Sequence, residues 1–243
     1  MEIGEFNASI RSAINFFVEQ DLWRSTVYEI SLPRSMEFNK LNLTTKDYTA
    51  VYDRGLSLSH YNLLLTDFSY FQFSHMSPSE YALAYYPNPR LSGSPEAIEF
   101  YRDLEKERDE GLLSDEEFSE LLTEIPSKIF IPRVRFEYSG SQYRNVQHPG
   151  AHFHIGMSGE DRWPSARKLS PKSFGLLMAK FYFPSTWWQH SRFSRPDDEQ
   201  HLHLADCLDN KLLSSIRLDG VSQFFSDDEK MGFHFAALQG PPA

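Results

Sequence analysis

The alternation of apolar and polar residues divides the chain into helical and strand-like stretches. Over residues 7–22, Ile10, Ile14, Phe17 and Val18 recur at helical spacing, which predicts an amphipathic helix with Asn7 or Ser9 as its cap. The runs Thr26–Leu32, Tyr48–Tyr52, Tyr61–Phe73 and Tyr81–Tyr86 are rich in Tyr, Phe, Val and Leu and are separated by Pro, Asn, Gly and Ser. They predict the strands of an antiparallel meander. In the first run, Val27, Glu29 and Ser31 alternate with Tyr28, Ile30 and Leu32, the period of a half-buried strand.

A different pattern follows. Ser94-Pro95-Glu96 is a helix start, Gly111 can end that helix, and Ser114-Asp115-Glu116-Glu117 is a capping box opening a second one. From 95 to 125 there are three basic and twelve acidic residues. Residues 94–125 are therefore predicted as an acidic helical hairpin inserted into one α+β domain spanning 1–243. A solvated insertion and an arm that docks a partner protein both fit that charge. Strand character returns over Lys128–Tyr138 and 152–157. Ser170-Pro171 opens a helix through about Phe183 that is apolar on most sides, and a further helix is expected from about Pro196 towards Ile216. Val221–Phe225 and Met231–Leu238 predict a last hairpin. The expected fold class is α+β: an antiparallel sheet with an N-terminal helix, the inserted acidic hairpin, and C-terminal helices packed on one face.

Composition narrows the picture. Aromatic residues make up 15% of the 243 positions, which favours a folded, strand-rich interior over disorder. The single cysteine, Cys207, excludes an internal disulfide and a zinc ribbon, and fits a reducing cytoplasm. No secretory leader and no apolar run of membrane-spanning length is present, so a cytoplasmic protein with no membrane partner is expected. The formal net charge of −10 argues against sequence-blind coating of duplex DNA. Against that acidity, residues 128–195 hold eleven Lys/Arg and only three Asp/Glu. A charge split of this kind marks a site for something anionic.

The basic segment also holds the candidate chemistry. Side chains alternate across a strand, so Arg133, Arg135 and Glu137 share one face, and Val134, Phe136 and Tyr138 the other. In the same way His152 and His154 oppose Phe153 and Ile155. If the two strands pair through the intervening loop, one face collects two Arg, one Glu and two His, with His148 at its rim. Arginine forks bind phosphate oxygens, and a Glu and a His can act as general base and general acid at phosphorus. Small microbial ribonucleases set similar residue types on a sheet, an analogy of residues and not of fold. Cross-strand opposite charges are equally ordinary on an exposed strand face. The histidines admit another chemistry: His152 and His154 could hold one divalent metal, with His148 or Glu137 as third ligand. His201 and His203 lie on a predicted helix, about 200° apart, and do not form such a pair. Arg162-Trp163-Pro164 with Arg167 and Lys168, and Trp187-Trp188 with His190, Arg192 and Arg195, pair cations with tryptophan as nucleobase sites do; tryptophan is more often core. No Walker loop, dinucleotide fingerprint, nucleophile elbow or H-E-x-x-H is present.

Several of these residues recur in a known order. Arg135-Phe-Glu-Tyr, His148-Pro149-x-x-His152-x-His154-Ile-Gly156, Arg162-x-Pro164, Leu169-Ser-Pro171-x-x-Phe174 and Phe181-Tyr182 resemble the signature of the bacterial domain-of-unknown-function 2290 family. The resemblance is strongest over residues 130–185 and implies a bacterial, cytosolic protein. It carries no activity. The chain departs from that pattern in adding Arg167-Lys168.

The expected function is that of a toxin-like or antiviral-defence protein acting on a nucleic-acid or nucleotide phosphodiester. Glu137 would be the base, His152 or His154 the acid, and Arg133, Arg135 and Arg162 the phosphate clamp, with His148, Arg167 and Lys168 as further anion contacts. The alternative is a non-catalytic subunit that holds nucleic acid or an acidic protein on the basic segment and docks a second partner on the hairpin. An enzyme should gather these groups in a cleft, and a binding module should spread them over an open face. A partly exposed functional histidine should contribute little to stability.

Overall fold

Apolar spacing places the first helix close to where the pattern predicts it. α1 (Ile3–Glu19) buries Phe6, Ile10, Ala13, Ile14, Phe16 and Phe17 on one side. Its cap differs from expectation: the Glu5 carboxylate accepts from the Glu2 N–H. Asn7 Oδ1 instead accepts from Ser31 N–H, and Ser9 Oγ accepts from Lys172 N–H, so both polar residues tie the helix to distant segments. The computed structural model describes residues 1–90, 95–123, 132–157, 159, 161–189 and 207–233.

After α1 come β1 (Trp23–Thr26), α2 (Met36–Thr44), α3 (Tyr48–Ser57), β2 (Leu63–Leu65), β3 (Tyr70–Ser77) and β4 (Glu80–Tyr86). The acidic segment supplies α4 (Pro95–Asp109) and α5 (Asp115–Thr123). Then follow β5 (Val134–Ser139), β6 (Ala151–Ile155), β7 (Trp163–Pro164), α6 (Pro171–Tyr182), α7 (Pro184–Gln189), α8 (Leu208–Leu218) and α9 (Asp227–Phe233). Among the described residues the strands form one sheet in the order β1 to β7, every pair antiparallel. The fold is thus α+β, built on a meander.

Four predicted elements are corrected. The run Tyr61–Phe73 is not one strand: it folds back on itself through a turn at 66–69 into β2 and β3. The strand expected over Thr26–Leu32 stops at Thr26. Beyond it the Asn62 amide donates to Tyr28 O and Ile30 O, and Leu32 N–H reaches Phe73 O, so side-chain and scattered backbone bonds replace a ladder. Tyr48–Tyr52 opens a helix, not a strand. Asp47 caps it by accepting from Thr49 and Ala50 N–H, and Tyr48, Val51, Tyr52 and Gly55 bury at helical spacing. The last hairpin is absent where the chain is described. Val221 makes an isolated bridge with Arg167, and Asp227–Phe233 is helical, capped by Ser226 and Glu229. Ser226-Asp-Asp-Glu229 is the same capping box as Ser114–Glu117, whose bonds form as predicted. Ser170 caps α6 by accepting from Ser173 N–H, also as predicted. Ser94, the start of the Pro196 helix, and His190, Arg192, Arg195, His201 and His203 lie outside the described residues.

The two sheet faces differ. One is apolar along its length: Phe71, Phe73, Leu83, Tyr85, Phe136 and Tyr138 pack against α1, α6 and α8. The other is apolar only towards β2–β4, where Leu64, Tyr70, Ala84 and Tyr86 meet α2 and α3 residues, with Tyr101, Leu104 and Phe118 of α4 and α5 joining the same cluster. Tyr70 and Tyr86, partners across β3 and β4, stack at 4.7 Å. Towards β5 and β6 this second face turns polar.

Candidate metal centre

Register builds the site. On the second face, one cross-strand row runs Ser74, Ala82, Glu137, His152, and the next runs Gln72, Ala84, Arg135, His154. The alternation expected from sequence is present: Val134, Phe136 and Tyr138 enter the apolar core, and Arg135, Glu137, His152 and His154 occupy the opposite face. Glu137 faces His152 directly, and His154 sits two residues further along the same strand.

The three side chains converge. His152 Nε2 and His154 Nε2 are 3.0 Å apart, and Glu137 Oε2 lies 3.7 Å from the first and 3.6 Å from the second. At 3.6 Å the Glu137 contacts are electrostatic, too long for hydrogen bonds. Both histidines are buried, at 0% and 2% exposure, whereas Glu137 is partly open. This corrects the expectation of partly exposed histidines.

Tautomers follow from partners. His152 Nδ1 is 2.8 Å from Pro149 O, which can only accept, so Nδ1 carries the proton and Nε2 keeps its lone pair towards the cluster. His154 must then donate the proton in the 3.0 Å contact, and its Nδ1, buried, has no hydrogen-bond partner among the described residues. Burial and the neighbouring His154 pull the His152 pKa down to about 4, against the pull of Glu137. Burial works against the Glu137 carboxylate, but His154 and the Arg135 guanidinium outweigh it and hold its pKa at about 2. Arg135 Nε lies 2.9 Å from Glu137 Oε1, near enough for an ion pair although its N–H is not aligned for a hydrogen bond.

The other predicted residues are placed variously. His148 is half-buried beside His152, ring to ring at 5.0 Å, and its pKa is lowered by burial and then by Arg162. Arg133 is buried, donates to Asn42 Oδ1 and lies over the Tyr86 ring. Arg167 donates to Asp219 O, and Lys168 lies over Tyr138. Trp187 is core, with its indole N–H on Asp209, while Trp163 and Trp188 are exposed. The site thus gathers Arg135, Glu137, His152 and His154 with His148 alongside. Arg133, Arg167 and Lys168 have structural partners elsewhere.

A cavity of about 250 Å³ adjoins the cluster. Ala82 and Ala84 form its floor, Arg135 and Glu137 one end, and Phe38, Asn42 and Gln72 part of its walls. Sequence reasoning missed these wall residues. α2 carries no strong periodic signal, and only tertiary folding brings Asn42 to the second sheet face.

Among comparisons with known proteins, a family model described as an uncharacterized conserved protein (DUF2290) matches residues 15–237. No curated protein and no solved structure matches the chain.

Proposed function

Because the chain belongs to the DUF2290 family, whose description assigns no chemistry, we propose from the site itself that this protein is a metal-dependent phosphodiester hydrolase. His152, His154 and Glu137 hold one first-row divalent ion. The observation that carries this reading is the ligand triangle. Sides of 3.0, 3.6 and 3.7 Å circumscribe a circle of radius about 2.0 Å, and zinc binds His nitrogen and carboxylate oxygen at about 2.0–2.2 Å. These three atoms would hold one such ion at that spacing.

The surroundings support the same reading. A ligating histidine commonly donates its other ring N–H to a carbonyl, as His152 does to Pro149. Arg135 orients the carboxylate in the way that outer partners orient metal ligands. A direct acid–base role suits these histidines poorly. Both are buried, and their Nε2 atoms lie 3.0 Å from one another. Ligation would require the His154 proton to leave Nε2, and the buried, unpartnered Nδ1 could carry it instead.

Three protein ligands leave positions open for water and substrate. A bound ion would supply Lewis acidity and lower the pKa of a coordinated water. In such a hydrolysis the bond from water to phosphorus would replace the one to the leaving alkoxide, the water's proton passing to solvent and the alkoxide taking one from solvent. Arg135 is placed to neutralise a phosphate oxygen beside the ion.

Metal analysis of the full chain tests the reading. About one zinc, iron or manganese per chain is expected, falling to background in His152→Ala and Glu137→Gln. Hydrolysis of bis(p-nitrophenyl) phosphate should follow metal content. A chain that purifies without metal, and whose melting temperature ignores added Zn2+, Mn2+, Fe2+ and Co2+, overturns it.

A further inference from the structure

We propose that the cavity floored by Ala82 and Ala84 binds the nucleoside portion of a mononucleotide-sized substrate and directs its phosphate to Arg135 and the metal centre. The inference rests on the metal-centre reading for the fate of the phosphate. The cavity argument itself is independent of it.

Size comes first. At about 250 Å³ the cavity is smaller than the roughly 300–1,000 Å³ of pockets for drug-sized ligands. That is space for one ring system with a sugar. Its depth comes from β4. Ala82 lies between Ser74 and Glu137 in one row, and Ala84 between Gln72 and Arg135 in the next. Two methyl side chains between longer neighbours leave a trough. The Phe38 and Tyr86 rings, 6.1 Å apart and inclined at 72°, are largely buried and contribute the small apolar edges that reach the cavity.

Charge comes second. Among the described lining residues the charged side chains are Arg34, Arg135 and Glu137. Two guanidiniums against one carboxylate leave the lining net positive. The ligand is anionic at the Arg135 end.

Hydrogen bonding decides the class. Three amides line the cavity, Asn39, Asn42 and Gln72, and the last two are each fixed in orientation by a partner that admits one assignment. Gln72 Nε2 donates to His60 O at 2.5 Å, so Oε1 remains as an acceptor. Asn42 Oδ1 accepts from the Arg133 guanidinium, which can only donate, so Nδ2 remains as a donor. A pocket that offers one fixed acceptor and one fixed donor beside aromatic rings complements the edge of a nucleobase, which presents both. A sugar phosphate would satisfy the guanidiniums but leave the aromatic edges unused.

Titration of nucleoside monophosphates into the metal-loaded protein, with inorganic phosphate and a single-stranded oligonucleotide as controls, tests this. At least one monophosphate should bind about tenfold more tightly than inorganic phosphate. Ala84→Leu, which fills the trough, should abolish that preference while metal content stays stoichiometric. Gln72→Met keeps the side-chain length but removes the acceptor, and should weaken binding in the same direction if Ala84→Leu does not fold. Binding no tighter than inorganic phosphate overturns the inference, as does an oligonucleotide that outcompetes every mononucleotide. A metal-free chain that still binds a monophosphate through Ala84 fails the metal reading and leaves the cavity assignment standing. A metal-loaded chain that binds none fails the assignment alone.

Discussion

At the residue scale the decisive fact is the burial of His152 and His154. A His with no exposed surface that donates to a backbone carbonyl cannot be removed without cost. His152→Ala should lower stability by about 1–3 kcal/mol, the range for losing a buried hydrogen-bond partner, and thermal melting checks this. The loss would appear even without metal, so melting alone does not separate a ligand from a core residue; the metal content of the same preparation does. Protonation carries a second prediction. The folded-state pKa of His152, about 4, lies below its ordinary 6.5, so it binds fewer protons folded than unfolded. Its contribution is complete above pH 6.5 and is lost as pH falls towards 4. Glu137, at about 2 against an ordinary 4.5, loses its contribution over the lower window. Metal-free protein should therefore melt progressively lower from pH 6.5 to 4, with a shallower slope in His152→Gln. A flat profile contradicts the buried neutral imidazole.

At the element scale the support of β6 matters most. Gly150 immediately precedes the strand that carries both histidines. A Cβ there would meet Phe224 Cβ at 2.7 Å, and one at Gly140 would meet the same ring at 2.8 Å. Phe224 packs beside the two ends of the loop between β5 and β6 and holds a tilted ring contact with Tyr143 at 5.0 Å. Gly150→Ala should cost about 1–3 kcal/mol, as overpacking does, and should weaken metal binding through the displaced start of β6. Denaturant melts and a zinc titration of this variant check both effects. The reverse effect is expected from the metal. An ion at about a hundredfold above its Kd stabilises by about 2.7 kcal/mol. At about 2–4 °C per kcal/mol for a chain of this size, the melting temperature should rise by about 5–11 °C.

At the scale of the whole molecule, the acidic hairpin is both a charged surface and a cover for the second core. Tyr101 meets the Phe68 ring at 4.1 Å and Phe118 at 5.8 Å, and Glu105 pairs with Arg24. Its opposite faces carry the charge. Replacing residues 94–125 by a short Gly/Ser linker should leave the first core folded, because α1, α6 and α8 pack on the other sheet face. It should also expose Phe68 and the aromatic cluster beneath it. The expected result is a cooperative but lower melt with increased binding of a hydrophobic dye. Wholly unfolded material would show that the two cores fold as one unit.

Sequence alone determined the elements whose signals are local. The α4 start at Pro95, the Ser114–Glu117 box, the Ser170 cap of α6 and the alternation within β5 and β6 were legible because capping and period-2 patterning act between near neighbours. Ser226–Glu229 carries the same signal, and it prevails over the β propensity of the residues around it. The five residues Tyr48–Tyr52 show the limit of composition: their aromatics suit a strand, but the Asp47 cap and burial of Val51 and Gly55 against the second face make a helix. The sharing of a face by Arg135, Glu137, His152 and His154 followed from alternation. Their closure into a triangle of metal-binding dimensions did not. It depends on the register that sets Glu137 opposite His152, and on Pro149 O turning the imidazole. The cavity was out of reach of any local pattern. Ala82, Gln72 and Asn42 have no chemistry in common as neighbours in sequence, and only packing of three separate segments puts them around one space.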